Sequence, residues 1–270
     1  MRVTRRCCAP LIRARHRSSG PRDSAFRHGF ALSEPRATCQ NCQRAQAICI
    51  CSSLPAAKLL TKTTICVLQH AHEAHRKKAI GTVPIMKLCL SNVDVIVHSR
   101  RLQEEIDSRL SALVQQPGTL LLYPGADAVP IARFALSELP SADCGPKTLL
   151  VLDGTWPQAR QLIRLQPQLA QMQRVTLPTG DNGQPSLYGE IRRLHESKHV
   201  PGYISTLEAV GHALELLEPG DANGVLANGV LRRAMASMVE KQRVYRSTGI
   251  ARLQATGERG AWARRESLII

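Results

Sequence analysis

The sequence predicts an α/β protein: a mostly parallel sheet flanked by helices, preceded by a small four-cysteine zinc unit. Three observations carry this. Apolar, β-branched runs such as 63–69 (TTICVLQ), 119–123 (TLLLY) and 148–152 (TLLVL) show no alternation with polar residues. Runs of that kind are strands buried on both faces, the mark of a parallel sheet. Helical patterns separate them, as crossover connections require. Four cysteines crowd between positions 39 and 51, ahead of the first strand.

Composition narrows the class. The chain has 270 residues, 43% of them hydrophobic, enough for a sizeable core. No apolar run reaches the ~18 residues that a membrane span needs, so no membrane is expected. Lys and Arg number 36 against 21 Asp and Glu, giving a net charge of +15 and a pI near 10.0. Such a balance favours an anionic partner, of which nucleic acid is the commonest. Aromatics make up only 3%, which argues against a single-strand binder built on aromatic stacking platforms. Phosphate contacts and shape would carry the affinity. The nine cysteines are odd in number and follow no secretory signal, so a disulfide framework is not expected. A reducing compartment follows, the cytoplasm in the first instance.

Residues 1–36 read as a basic tail. They carry Arg2, Arg5, Arg6, Arg13, Arg15, Arg17, Arg22 and Arg27 against Asp23 and Glu34 alone. Two readings stay open: an organelle transit peptide, which would move the protein out of the cytoplasm, or a basic arm adding RNA affinity. Residues 37–56 form the cysteine unit, Cys39-x2-Cys42-x6-Cys49-x-Cys51, closed by Pro55. Four thiolates on two short turns suit one tetrahedral Zn2+, a structural site with no position left for water. An iron–sulfur cluster is the lesser alternative. Cys66 and Cys89 lie in apolar runs and read as buried small hydrophobes; no chemistry is assigned to them or to Cys7, Cys8 and Cys144.

The main domain spans 57–246. Strands are expected at 63–69, 93–97, 119–123 and 148–152, with a fifth at 174–177. A helix is expected over 101–116, with Leu102, Ile106, Leu110 and Leu113 on its apolar face. Further helices are expected at 204–217 and 230–246, followed by a basic, frayed tail at 247–270. No internal repeat is visible.

The segment LLVLDGTWPQARQLIRL is the most informative. The strand ends at Leu152 and Asp153-Gly154 turns. Thr155 caps a helix, with Gln158 as its capping-box partner. Pro157 sits in the first turn, where its missing N–H costs nothing. Leu162 and Ile163 face the core, while Arg160 and Arg164, one turn apart, suit phosphates. Asp153 thereby lies at the carboxyl end of a parallel strand, where open α/β sheets bind ligands. From the residues alone a blander reading stands beside it: Asp153 caps the turn and Trp156 fills a gap in the core. Tyr123-Pro124-Gly125 is either a ligand-holding strand end, with Gly125 permitting close approach, or an ordinary turn. Arg192, Arg193 and Lys198, with His199, are phosphate contacts or a solvated loop. His72, His75, Arg76, Lys77 and Lys78 form a second basic patch that lacks an evident third metal ligand.

Asp153-x-Thr155-Trp156 resembles the signature of the DTW-domain family, the tRNA-uridine aminocarboxypropyltransferases. The four-cysteine prelude supports the likeness. So do Leu68-Gln69-His70 with Glu73, Gly81-Thr82, Tyr123-Pro124-Gly125, Ser205 to Val210, and Met238-Val239 with Gln242. The likeness spans 37–245. The chain departs from it after His70, where Ala71 stands in place of the usual proline.

The resemblance implies a fold similar to the SPOUT RNA methyltransferases, whose cofactor sits in a knotted C-terminal half. It implies transfer of the 3-amino-3-carboxypropyl group from S-adenosylmethionine to N3 of a uridine in tRNA. Asp153 then serves as general base or only orients the uridine. Tyr123, Pro124, Gly125, Asp153, Thr155, Trp156, Thr206 and Leu207 would hold the cofactor. Arg160, Arg164, Arg192, Arg193 and Lys198 would hold RNA. Cys39, Cys42, Cys49 and Cys51 would hold structural Zn2+. The rivals are an S-adenosylmethionine-dependent RNA methyltransferase and a non-enzymatic zinc-containing RNA-binding protein. An aminocarboxypropyltransferase acting on ribosomal RNA is disfavoured by the cysteine prelude. The oligomeric state is left open.

Overall fold

The apolar runs form the sheet. In the computed structural model, which describes residues 37–75, 80–135, 148–178, 186–187 and 204–256, six strands pair in the order β2-β1-β5-β3-β6-β4, every pair parallel. The strands are β1 (Thr64–His70), β2 (Val93–His98), β3 (Thr119–Leu122), β4 (Val129–Pro130), β5 (Thr148–Asp153) and β6 (Gln173–Thr176). The helices are α1 (Ala71–His75), α2 (Thr82–Cys89), α3 (Gln103–Gln115), α4 (Trp156–Leu165), α5 (Thr206–Leu217) and α6 (Ala222–Thr256).

Strand alternation splits the interior into two cores. Ile65, Val67, Leu149 and Val151 face α2, α5, α6 and the cysteine unit. Cys66, Leu68 and Leu150 face α3, α4 and the 3-10 turn Pro167–Gln171. Leu149 and Leu150 are adjacent, fully buried and on opposite faces, so truncating either to Ala costs about 2–5 kcal/mol from a different core. Burial pushes the Cys66 thiol up to about 12 and the Cys89 thiol up to about 11. Both stay protonated, as inert packing groups.

Four elements differ from the sequence reading. Leu102 is 49% exposed, because a 3-10 turn, Arg100–Leu102, precedes α3. Its tighter winding carries Leu102 off the face that Ile106 and Leu110 share. The helix α2 was not expected, since Thr82, Val83 and Pro84 read against a helix. All three occupy its first turn, where a proline forfeits no intrahelical bond. The last helix begins at Ala222 and runs to Thr256 rather than spanning 230–246. Two glycines at its start hid it. Gly224 is required by packing: a Cβ there would lie 2.4 Å from the Glu218 Cβ. The two-residue β4, ending on Pro130 at the sheet edge, is too short to leave a pattern.

Two buried carboxylates tie the connections. Glu218 accepts from the Lys62 N–H at 3.1 Å and the Thr63 N–H at 2.6 Å, fixing the entry to β1. Glu208 completes the Ser205 capping box and also accepts from the Ser186 hydroxyl at 2.8 Å and the Leu187 N–H at 3.0 Å.

Candidate active site

From β1 the chain moves to β2 on one side; from β5 it moves to β6 on the other. The neighbours β1 and β5 thus flank a topological switch point, and open parallel sheets bind ligands outside the carboxyl ends there. Asp153 is the last residue of β5 and pairs in register with Gln69. It is 8% exposed. Its Oδ2 accepts from Gln69 Nε2 at 2.8 Å, and its Oδ1 accepts from the Thr82 hydroxyl at 3.4 Å. Thr82 opens α2. Three separate elements therefore fix one carboxylate, and each of its oxygens keeps a lone pair for a further donor.

The α4 side of the same strand end is different. Thr155 and Gln158 form the expected capping box, with the Thr155 N–H 2.7 Å from Gln158 Oε1. Trp156 does not fill the core; it is 42% exposed and tilts against Tyr123, ring centroids 6.1 Å apart. Tyr123, Arg160, Ile163 and Arg164 line a cleft of about 260 Å³. Both arginines are exposed. Pro124 and Gly125 are exposed beside it. Gly125 makes room for a pair of its own neighbours: a Cβ would lie 2.8 Å from Asp127 Oδ1, which Arg174 holds at 3.2 Å.

Histidines edge the site. His70 and His98 are partners across β1 and β2, their rings stacked 6.2 Å apart. Burial first, then the neighbouring His70, hold His98 below its ordinary value. His72 is exposed and its Nδ1 lies 3.4 Å from Gln158 Nε2. At the start of α5, Thr206 is half-buried, but the Leu207 side chain is wholly buried in the first core. Only its backbone is available to a ligand. Arg192, Arg193, Lys198 and Tyr188 lie outside the described residues, as do Arg76, Lys77 and Lys78.

The cysteines converge. Cys39 and Cys51 Sγ atoms are 3.5 Å apart, Cys42 and Cys49 3.7 Å, and all four lie within 4.8 Å of one another. A tetrahedron with ~2.3 Å metal–sulfur bonds has edges of about 3.8 Å, so the set fits Zn2+. Among the described residues no other group of His, Cys, Asp or Glu has such geometry. The first pair sits on a turn closed by Cys39 N–H to Arg44 O at 2.8 Å, with Gln43 in the left-handed region at φ 57°. A hydrogen bond from the Cys42 N–H leads the effects that lower Cys39 to about 6, while burial leads those that push Cys51 up to about 12. A cation bound among all four would favour the thiolate at each. Cys42 and Ile50 insert into the first core.

Gln69 and Thr82 carry the geometry around Asp153, yet sequence reasoning gave them no role. Their segments stood out only by resemblance. The contacts depend on strand register and on a helix that the local sequence concealed.

The family model described as DTW domain matches residues 36–243. The tRNA-uridine aminocarboxypropyltransferase 2 of Macaca fascicularis is 34% identical over 200 residues, 73% of this chain and 62% of that protein. That of Mus musculus is 32% identical over 186 residues, 68% of this chain and 58% of that protein. The tRNA-uridine aminocarboxypropyltransferase A of Arabidopsis thaliana is 31% identical over 197 residues, 68% of this chain and 74% of that protein. The chain thus spans less than two thirds of the length of the first two. No solved structure matches it. Among the described residues, no helix is long and apolar enough to cross a membrane. With the family model covering most of the chain and the Asp153 turn at its centre, the chain belongs to the DTW-domain family.

Proposed function

We propose that this protein transfers the 3-amino-3-carboxypropyl group of S-adenosylmethionine to N3 of a uridine in tRNA. The observation that carries the reading is the buried Asp153 carboxylate, held by Gln69 and Thr82 at the sheet's switch point. The names of the related proteins supply the reaction class.

S-adenosylmethionine, when bound, supplies an activated methylene carbon and a thioether leaving group. The chain's residues do the rest. Asp153 accepts the N3 proton, or a hydrogen bond from it, with the oxygen lone pairs that Gln69 and Thr82 leave open. The N3–carbon bond forms as the carbon–sulfur bond breaks, and methylthioadenosine leaves. Two fixed donors keep the carboxylate from rotating, so the uridine meets it in one orientation. Tyr123, Pro124, Gly125, Thr155, Trp156, Thr206 and the Leu207 backbone would hold the co-substrate. The exposed Trp156 beside Tyr123 suits an adenine face. Arg160 and Arg164 would take phosphates of the tRNA, joined by Arg192, Arg193 and Lys198. Cys39, Cys42, Cys49 and Cys51 would hold Zn2+, which supplies folding energy to a segment too short for its own core.

The test uses S-adenosylmethionine labelled separately in the methyl group and in the methionine carbon chain. The reading expects only chain label in tRNA. Methyl label would replace it with an RNA methyltransferase. RNA binding that survives Asp153→Ala, with no co-substrate binding, would replace it with a non-enzymatic RNA-binding protein.

A further inference from the structure

Arg44 lies in the cysteine turn, two residues after Cys42, and its side chain is 3% exposed. Burying a guanidinium is costly unless its N–H groups are used. Its fork spans two segments far apart in sequence. Nη1 donates to Cys42 O at 3.3 Å, and Nη2 donates to Gly81 O at 3.5 Å, with the Met238 sulfur 4.0 Å away. Gly81 is the N-cap of α2, and the next residue, Thr82, donates to Asp153. On the other cysteine turn, Lys241 of α6 donates to Cys49 O. Each cysteine pair is thus held through a backbone carbonyl by a cation. Four thiolates around a divalent ion carry a net charge of −2, which these two cations neutralise.

We propose that Arg44 is a positioning residue that couples the metal-bound cysteine turn to Gly81-Thr82, and through Thr82 fixes the Asp153 carboxylate. The inference rests on the reading of Asp153 as the reactive group, and it extends the role of the cysteine unit beyond folding. A planar fork is needed: one ammonium cannot reproduce two divergent N–H bonds at fixed angles.

The test is Arg44→Lys in the full chain, which keeps the charge. Wild-type transfer is measured first, so failure of the proposed activity is seen separately. Metal content by elemental analysis should remain at the wild-type value. Hydrogen exchange should quicken in peptides from α2 and not in those from α5. With metal and co-substrate affinity retained, kcat should fall about tenfold. In a Thr82→Val background the same change should cost less than about twofold, because both act through one contact. Additive losses, or unchanged α2 exchange in Arg44→Lys, would overturn the coupling. If Arg44→Lys loses its metal, the readout is wild-type protein stripped by a chelator. Faster exchange in α2 before α5 supports the coupling; equal change in both, or none in α2, overturns it.

Discussion

The end of β5 has two unlike sides. On the α2 side, Asp153 is buried and held by two donors from other elements. On the α4 side, Trp156, Arg160 and Arg164 are exposed around a cleft. The contrast fits the roles proposed for the two sides. A group that accepts one proton in one direction gains from burial and fixed partners. Cations that attract phosphates act over a Debye length of about 8 Å at physiological salt and work from the surface. The two sides should therefore fail differently, one in turnover and the other in affinity.

The largest separation should come from Asp153→Asn, which keeps the shape and removes the proposed base. Single-turnover transfer should fall by about 10²- to 10⁴-fold, the usual worth of a general base. Co-substrate and tRNA affinities should stay within about threefold. Turnover at the wild-type rate would mean that the carboxylate side is not where reaction occurs. Next in size is Cys39→Ser. The cysteine unit packs into the core on the α2 side, through Cys42 and Ile50. Bound metal should fall from about one equivalent toward zero, and the melting midpoint should drop by at least about 5 °C. Zinc content unchanged by elemental analysis would remove the structural site. On the α4 side, Arg160→Ala with Arg164→Ala should weaken tRNA binding. The slope of log affinity against log salt should flatten by roughly one to two units. Turnover at saturating tRNA should hold. An unaltered slope would take both arginines off the RNA face.

The same contrast explains what the sequence made legible. The cysteine cluster and the Thr155–Gln158 capping box are local patterns, with partners within thirteen residues or fewer of each other, and both are found as read. The strands at 64–70 and 148–153 were legible because burial on both faces leaves unbroken apolar runs; the edge strand at 93–98 was legible from its β-branched Val93, Val95, Ile96 and Val97 despite the exposed Asp94. Gln69 and Thr82 were not legible as partners of Asp153. Their meeting depends on the β1–β5 register and on a helix whose first turn, Thr82-Val83-Pro84, disguises it. Arg44 escaped notice for the same reason: one more arginine in a chain of net charge +15 gives no sign that, among the described residues, it is the buried one, set between two segments. The exposed Trp156 was legible as a motif and not as a surface, since nothing local sets which way a first-turn side chain faces.

The smallest predicted effect concerns His98, which stacks on His70 at the ends of β1 and β2. Its folded value is lowered from 6.5, by burial first. Between that lower value and 6.5 the unfolded chain binds more protons than the folded one, so stability rises with pH across the window. Acidification from pH 7.5 to 5.5 should therefore lower the melting midpoint, and His98→Gln should shallow that dependence by a few degrees at most. The effect is small because only one proton is involved. It also sharpens the contrast between the two sides. A pH-dependent loss of stability centred on His98 would leave unchanged the salt slope of tRNA binding, which the proposed reading assigns to Arg160 and Arg164. If melting of His98→Gln followed pH as steeply as wild type, the stacked pair would have no part in the acid sensitivity of this edge.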